Sequence, residues 1–140
     1  MIAVPQSIRA LQRSLNNARA KLEEAFKNIV EKEKMANFYK YYANYYWVKS
    51  CDIQIQLWLK EFEEIQRQKS LLNDKTHLEN KIKMVENNIV HMLSNLKKCD
   101  EEAVQKNWRL RIKYKTIHDY IREVYGRAAE LRRLLKKIAV

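Results

Sequence analysis

The sequence predicts an all-α protein, an antiparallel four-helix bundle with a basic helical arm at its N-terminus. Three observations carry that expectation. The 140 residues contain one glycine, Gly126, and one proline, Pro5, whereas hairpin-rich β folds need turn residues about every ten positions. Hydrophobic residues make up 46% of the chain, enough for a core even with 32% charged residues, so global disorder is not expected. Apolar residues also recur at steps of three and four along nearly the whole length, the period of one buried helical face.

The elements follow in order. Pro5 suits a first helical turn, where its missing N–H costs nothing. From there Ile8, Leu11, Leu15, Ala18, Leu22, Ala25 and Ile29 line one face of a first helix, in register across the weak pair Asn16 and Asn17. The face continues through Ala36, Tyr39, Ala43 and Tyr46, and a break is expected at 48–50, with Ser50 as a cap. A second repeat runs Cys51, Ile55, Trp58, Phe62, Ile65 and Leu72. Residues 53–59 alternate with period two as well, but a lone strand has no ladder partner, so helix is expected. Asn73 and Asp74 open a turn over 73–76, after which Thr76 and Glu79 form a capping box. The third repeat is Leu78, Ile82, Val85, Ile89, Met92 and Leu96. A further turn is expected at 98–102, with Asp100 as cap and acids at the positive end of the next helix dipole. The last repeat is the cleanest: Ala103, Leu110, Tyr114, Ile117, Ile121, Val124, Ala128, Leu131, Leu135 and Ile138. A single helix over 101–138 is about 55 Å long, with Gly126 opposite its apolar face. Two units result: residues 1–22 as a basic helical arm reaching beyond the rest, and residues 23–140 as the bundle.

Charge is the second signal. There are 28 Lys and Arg against 17 Asp and Glu, a net charge of +11. Residues 1–22 hold Arg9, Arg13, Arg19 and Lys21 and no acid; residues 23–70 are balanced at 8 of each sign; residues 106–140 hold 11 basic and 3 acidic side chains. The excess therefore sits at the two ends of the chain. Helical geometry puts Arg9 and Arg13 opposite the first apolar stripe. It puts Arg111, Lys115, Arg122, Arg133 and Lys137 opposite the last one, flanked by Lys136. A row of cations on a rigid helix can follow nucleic-acid phosphates and release their counterions, and arginine forks hold phosphate oxygens in pairs. The candidate DNA-binding residues are Arg9, Arg13, Arg19, Lys21, Arg109, Arg111, Lys113, Lys115 and Arg122. A solvated bundle face usually mixes signs, as residues 23–70 do. An anionic membrane surface is the competing partner.

The aromatic residues Phe38, Tyr39, Tyr41, Tyr42, Tyr45, Tyr46 and Trp47 fall within ten positions. One seam can bury only part of them, leaving Phe38, Tyr41, Tyr42 and Tyr45 as a second face. With Trp108 these are the candidate subunit-interface residues, since Tyr and Trp are enriched in interfaces. A wide core with tyrosine tips at its rim, and a stacking platform for single-stranded bases, are the alternatives; the electrical balance of the segment argues against stacking. Trp108 and Ile112 lie near the basic side of the last helix, against a neighbouring subunit or lipid, or against the arm folded back.

Other chemistry is excluded or absent. Phosphate loops, dinucleotide fingerprints and nucleophile elbows need several glycines. His77, His91 and His118 form no helical pair. Glu61, Glu63 and Glu64 lack the Glu-x-x-His partner of a bundle metal site. Cys51 and Cys99 have no zinc spacing and read as buried free thiols rather than a bridge. No nucleophile has a recognisable base. Neither an enzyme nor a cofactor or metal is expected. There is no apolar run of membrane-spanning length and no signal-peptide pattern at the start.

The run MIAVPQSIRALQRSLNNARAKLEE, followed by an aromatic-rich helix, resembles the major coat proteins of filamentous archaeal viruses, the lipothrixviruses, those of Acidianus filamentous virus among them. The resemblance extends over the whole chain. It implies a virion coat protein, assembled in the host cytoplasm, that wraps linear double-stranded DNA together with a paralogous coat protein. Further copies complete a helical filamentous array under a lipid envelope. It also implies DNA in an A-like form, whose narrow major groove is poorly readable, so that backbone contacts dominate. Arg9, Arg13, Arg19 and Lys21 then lie on the arm, while the C-terminal stripe faces DNA or lipid headgroups. The residues by themselves leave open a helical adaptor that binds a protein partner through the aromatic face, and they do not separate DNA from RNA.

Overall fold

A computed structural model describes residues 6–67, 75–110 and 115–139. Four helices pack together: α1 (Gln6–Glu31), α2 (Ala36–Arg67), α3 (Lys75–Lys106) and α4 (Ile117–Ala139), with one 3-10 turn at Glu33–Met35 between the first two. Cross-helix contacts fix their directions. The chain reverses through the short turn at 32–35 and Arg19 meets Gln54, so α1 runs antiparallel to α2. Lys81 meets Glu61 and Glu102 meets Asn44, so α3 does too. Tyr45 touches Tyr120, and Asp52, seven residues on, touches Arg127, seven residues on; α4 is parallel to α2.

The helix count agrees with the sequence expectation, but the boundaries move. The break expected at 48–50 lies at 32–35, because α2 runs through Ser50 without interruption. The Ser50 hydroxyl donates to the Tyr46 carbonyl at 2.7 Å, a bond back into its own helix that satisfies a buried serine without a cap. Reversal at 32–35 lets the apolar stripe of α1 fold onto α2 instead of running on into water. The turn expected at 98–102 is helix as well. Asp100 caps nothing; it reaches the His118 Nδ1 at 2.6 Å across the α3–α4 contact.

The single helix expected over 101–138 is cut in two, and hydrogen bonds explain both cut ends. Asn107 takes a left-handed φ of 50°, its N–H bonds the Val104 carbonyl, and the Trp108 N–H bonds the Ala103 carbonyl at 3.1 Å. That pair of bonds is a Schellman ending. Thr116 then starts α4: its hydroxyl accepts the Asp119 N–H at 3.0 Å, and the Asp119 carboxylate accepts the Thr116 N–H at 3.4 Å, a reciprocal capping box. An antiparallel bridge between Arg109 and Thr116 ties the connection together. The 23 residues of α4 span about 35 Å.

Buried residues form two clusters. The main one joins α2, α3 and α4 through residues such as Ile55, Phe62, Val85, Ile89, Leu96, Ile121, Leu131 and Leu135. The smaller one joins Ile8, Leu15 and Ala18 of α1 to Ile53 and Leu57 of α2. These clusters resolve the period-two alternation over 53–59. Ile53 and Leu57 face α1, Ile55 and Leu59 face the main core, and two helical faces interleave to imitate a strand. The residues expected to form a projecting arm are docked here: α1 is one continuous helix across residues 22 and 23 and lies along α2. Pro5, Leu72, Asn73, Asp74, Ile112 and Tyr114 lie outside the described residues.

Candidate nucleic-acid interface

The cations of the two chain ends occupy the outer faces of α1 and α4. The α1 face that carries Ile8, Leu15 and Ala18 is buried, which turns Arg9 and Arg13 outward, and both are exposed. Arg19 and Lys21 lean toward α2. The Arg19 guanidinium donates to the Gln54 Oε1 at 3.2 Å, and Lys21 lines a cleft with Glu24, Asn28, Phe38, Tyr39, Tyr42 and Tyr46.

On α4, Ile117, Ile121, Val124, Ala128, Leu131, Leu135 and Ile138 are all buried, as the sequence spacing predicts. Arg122, Arg133 and Lys137 therefore point away from the core and are exposed, with Arg132 and Lys136 beside them. Arg132, Arg133 and Lys136 share an open cleft of about 460 Å³ with Leu93, Tyr125 and Ala129. Burial beside the Asp100 carboxylate raises the Tyr125 phenol above its ordinary range, so it stays a neutral donor at the rim of that cleft.

Most acids of this region are engaged; Glu130, exposed on α4, forms no ion pair among the described residues. Asp52, buried in α2, accepts from the Tyr120 hydroxyl at 2.9 Å and pairs with the Arg127 guanidinium. Glu123 pairs with Lys115 and lies 3.9 Å from Arg127; its hydrogen bond to Lys115 holds its carboxyl below the usual range. Asp119 serves the cap. Arg9, Arg13, Arg122, Arg132, Arg133, Lys136 and Lys137 form no ion pair among the described residues. Lys115, by contrast, is held by Glu123 and sits in the α3–α4 connection, as does exposed Arg109. Arg111 and Lys113 lie outside the described residues. Arg132 was not legible as a site residue, although the local charge count signals it. Asp52 and Arg127 had a signal too, since a lone acid within an apolar run demands a partner.

The aromatic residues divide between the inside of the molecule and its surface. Tyr41 makes an edge contact with Trp108, and its hydroxyl donates to the Arg109 carbonyl at 3.0 Å. Tyr45 packs against the main core and touches Tyr120. Tyr41, Tyr45 and Trp108 thus pin the α3–α4 connection to α2. Phe38 is 46% exposed and stacks edge-on against Tyr39 and Tyr42. Phe26, Val30 and Met35, near the α1–α2 turn, are exposed as well.

Cys51 and Cys99 are free and buried. Burial, and next the charge of a neighbour (Cys99 for Cys51, Glu102 for Cys99), pushes both thiols up to about 12. Such thiols are inert at neutral pH. Among the described residues no three His, Cys, Asp or Glu side chains gather into a metal site, and no helix is long and apolar enough to cross a membrane. Comparison of the chain with protein-family models, with curated proteins and with solved structures finds no match in any of the three.

Proposed function

We propose that the chain is a structural DNA-binding subunit, a coat protein that holds the phosphate backbone of linear duplex DNA without reading sequence and assembles along it into a filament. One observation carries this reading: the exposed cations of α1 and α4 form no ion pair among the described residues, and the acids Glu123 and Asp52 beside α4 are tied to Lys115 and Arg127. Uncompensated arginines on rigid helices suit phosphate oxygens. The basic arm of this reading is α1 itself, docked on α2. The resemblance of the N-terminal run adds the setting: a virion, a paralogous coat protein and further copies as neighbours, A-like DNA, and an enveloping lipid layer.

The test is a titration of random-sequence duplex DNA at several salt concentrations. With about five phosphates neutralised per molecule, affinity falls by roughly 10²–10³ between 50 and 200 mM salt. Salt-independent binding, or strong preference for one short sequence, overturns the proposal. The exposure of Phe26, Val30, Met35 and Phe38 near the α1–α2 turn favours a second reading, an adaptor that captures a protein partner there. That reading predicts capture that survives high salt and is lost in a Val30→Asp, Phe38→Asp variant.

A further inference from the structure

We infer that a single molecule bridges two duplex segments, one on each flank, so that the protein links DNA as well as coating it. This rests on the reading of the chain as a DNA-binding protein. The inference comes from where α2 places its neighbours. α1 is seated on Ile53 and Leu57, whereas the core shared with α3 and α4 is seated on Val48, Ile55 and Leu59, on the opposite side of the same helix, and α4 meets α2 at the edge of that side, at Tyr45 and Asp52. Arg9 and Arg13 face away from α2 on one flank. Arg122, Arg133 and Lys137 face away from it on the other. Packed helices sit 8–10 Å apart, which separates the axes of α1 and α4 by about 15–20 Å. The cations on their outer faces stand farther apart still.

A straight duplex laid along one face leaves the other face uncovered. To reach both it must turn back around the bundle. Elastic bending energy grows with the square of the angle, so a half-turn costs about four times as much as a right-angle bend over the same length. Two separate segments reach both faces with no bending. Each face alone is a small cationic patch of a few residues, and such patches gain strength when a second site on the same molecule is engaged.

The experiment uses the full chain and two 15-bp duplexes, one fixed to beads and one fluorescent. Each is about 50 Å long, too short to wrap from one flank to the other. A mobility shift on the free duplex is read in parallel. Two variants, Arg9→Glu with Arg13→Glu and Arg122→Glu with Arg133→Glu, remove one face each. They alter only exposed side chains without ion pairs among the described residues, and a circular-dichroism melt confirms each fold. The wild type is expected to carry fluorescent duplex onto the beads. Each variant is expected to weaken the mobility shift but keep it through its remaining face, and to lose at least tenfold more in capture than in the shift. If the wild type shifts duplex without capturing a second, bridging is wrong and the DNA-binding reading stands. If either variant captures as well as the wild type, linkage comes from contacts between protein copies and the inference is overturned. If the wild type shifts nothing, both readings fall.

Discussion

The side of α2 that faces α3 and α4 belongs to one cluster of nineteen buried residues, whereas the side that faces α1 closes over five. The first side also holds the only buried carboxylate among the described residues, Asp52, with its partners Tyr120 and Arg127. The second holds none. Folding free energy is therefore concentrated in the α2–α4 body. α1 lies closely along α2 but closes over fewer large buried side chains, so it is expected to open before the rest unfolds. The cations proposed to meet DNA lie on both parts, so the same charge chemistry is mounted on a firm support at one flank and a looser one at the other.

The largest effects should come from the firm side. Leu131 is fully buried, and Leu131→Ala is expected to cost about 4 kcal/mol, lost transfer energy plus a cavity, read as a lower midpoint in denaturant unfolding. Asp52→Ala should cost about 3 kcal/mol. It leaves the Arg127 charge and the Tyr120 hydroxyl without their acceptor, and Arg127, about a third exposed, recovers part of the loss from water. Leu15→Ala, on the α1 side, is expected to cost about 2 kcal/mol, and the manner of the loss is the sharper test. Amide exchange should quicken along α1 while α4 keeps its protection. Equal loss of protection in both helices would show that the two regions unfold as one.

Much of this division is visible in the chain before folding. The seams of α1, α3 and α4 follow from period alone: every member of the last repeat from Ile117 to Ile138 is buried. The helix ends were legible only in part. Asn107 is a residue type that tolerates φ above zero, and Thr116 with Asp119 has capping-box spacing. Both signals were outweighed by an apolar repeat that runs straight through them. The reversal at 32–35 has no Gly or Pro and no cap signal, because it is set by what α1 gains on α2, a tertiary cause. Ser50 misleads for the opposite reason, being a good cap type buried within a helix. At the candidate site, segregation of charge was readable. Which cations are held by Glu123 and Asp52 was not, because pairing depends on helix registry across α2 and α4.

Alkaline pH should act chiefly on the firm side. Unfolded thiols ionise near their ordinary value of 9.0, while Cys51 and Cys99 in the folded protein keep their protons up to about 12. Between those values the folded state binds more protons than the unfolded state, so stability is full below about pH 9 and falls as pH rises through the window. Tyr120, raised by burial and by the Asp52 carboxylate, acts in the same direction above pH 10. Each thiol is expected to remove on the order of 1–2 kcal/mol by pH 10.5. Urea unfolding at pH 7 and pH 10.5 checks this, and a Cys51→Ala, Cys99→Ala variant should show a shallower decline. The α1 cluster has no group of this kind, and Arg19 of α1 acts on Cys51 only as the smallest influence, in the lowering direction, so α1 opening should change far less with pH over the same range.

The smallest effect concerns the centre of the α4 outer face. Gly126 lies between Arg122 and Arg133 on that face, and a Cβ built there meets nothing within 4 Å. Its φ is not in the left-handed region, so glycine supplies no conformation that alanine lacks. Gly126→Ala should therefore stabilise the protein by about 0.5–1 kcal/mol through helix propensity and a less flexible unfolded chain. Its effect on DNA tells how the duplex sits. If phosphates are held at the ends of long Arg and Lys side chains, one methyl group on the helix surface is remote from them, and affinity at fixed salt should stay within about twofold. A tenfold loss of affinity in a more stable protein would place the backbone of the duplex directly against the backbone of α4, with glycine there to let it approach.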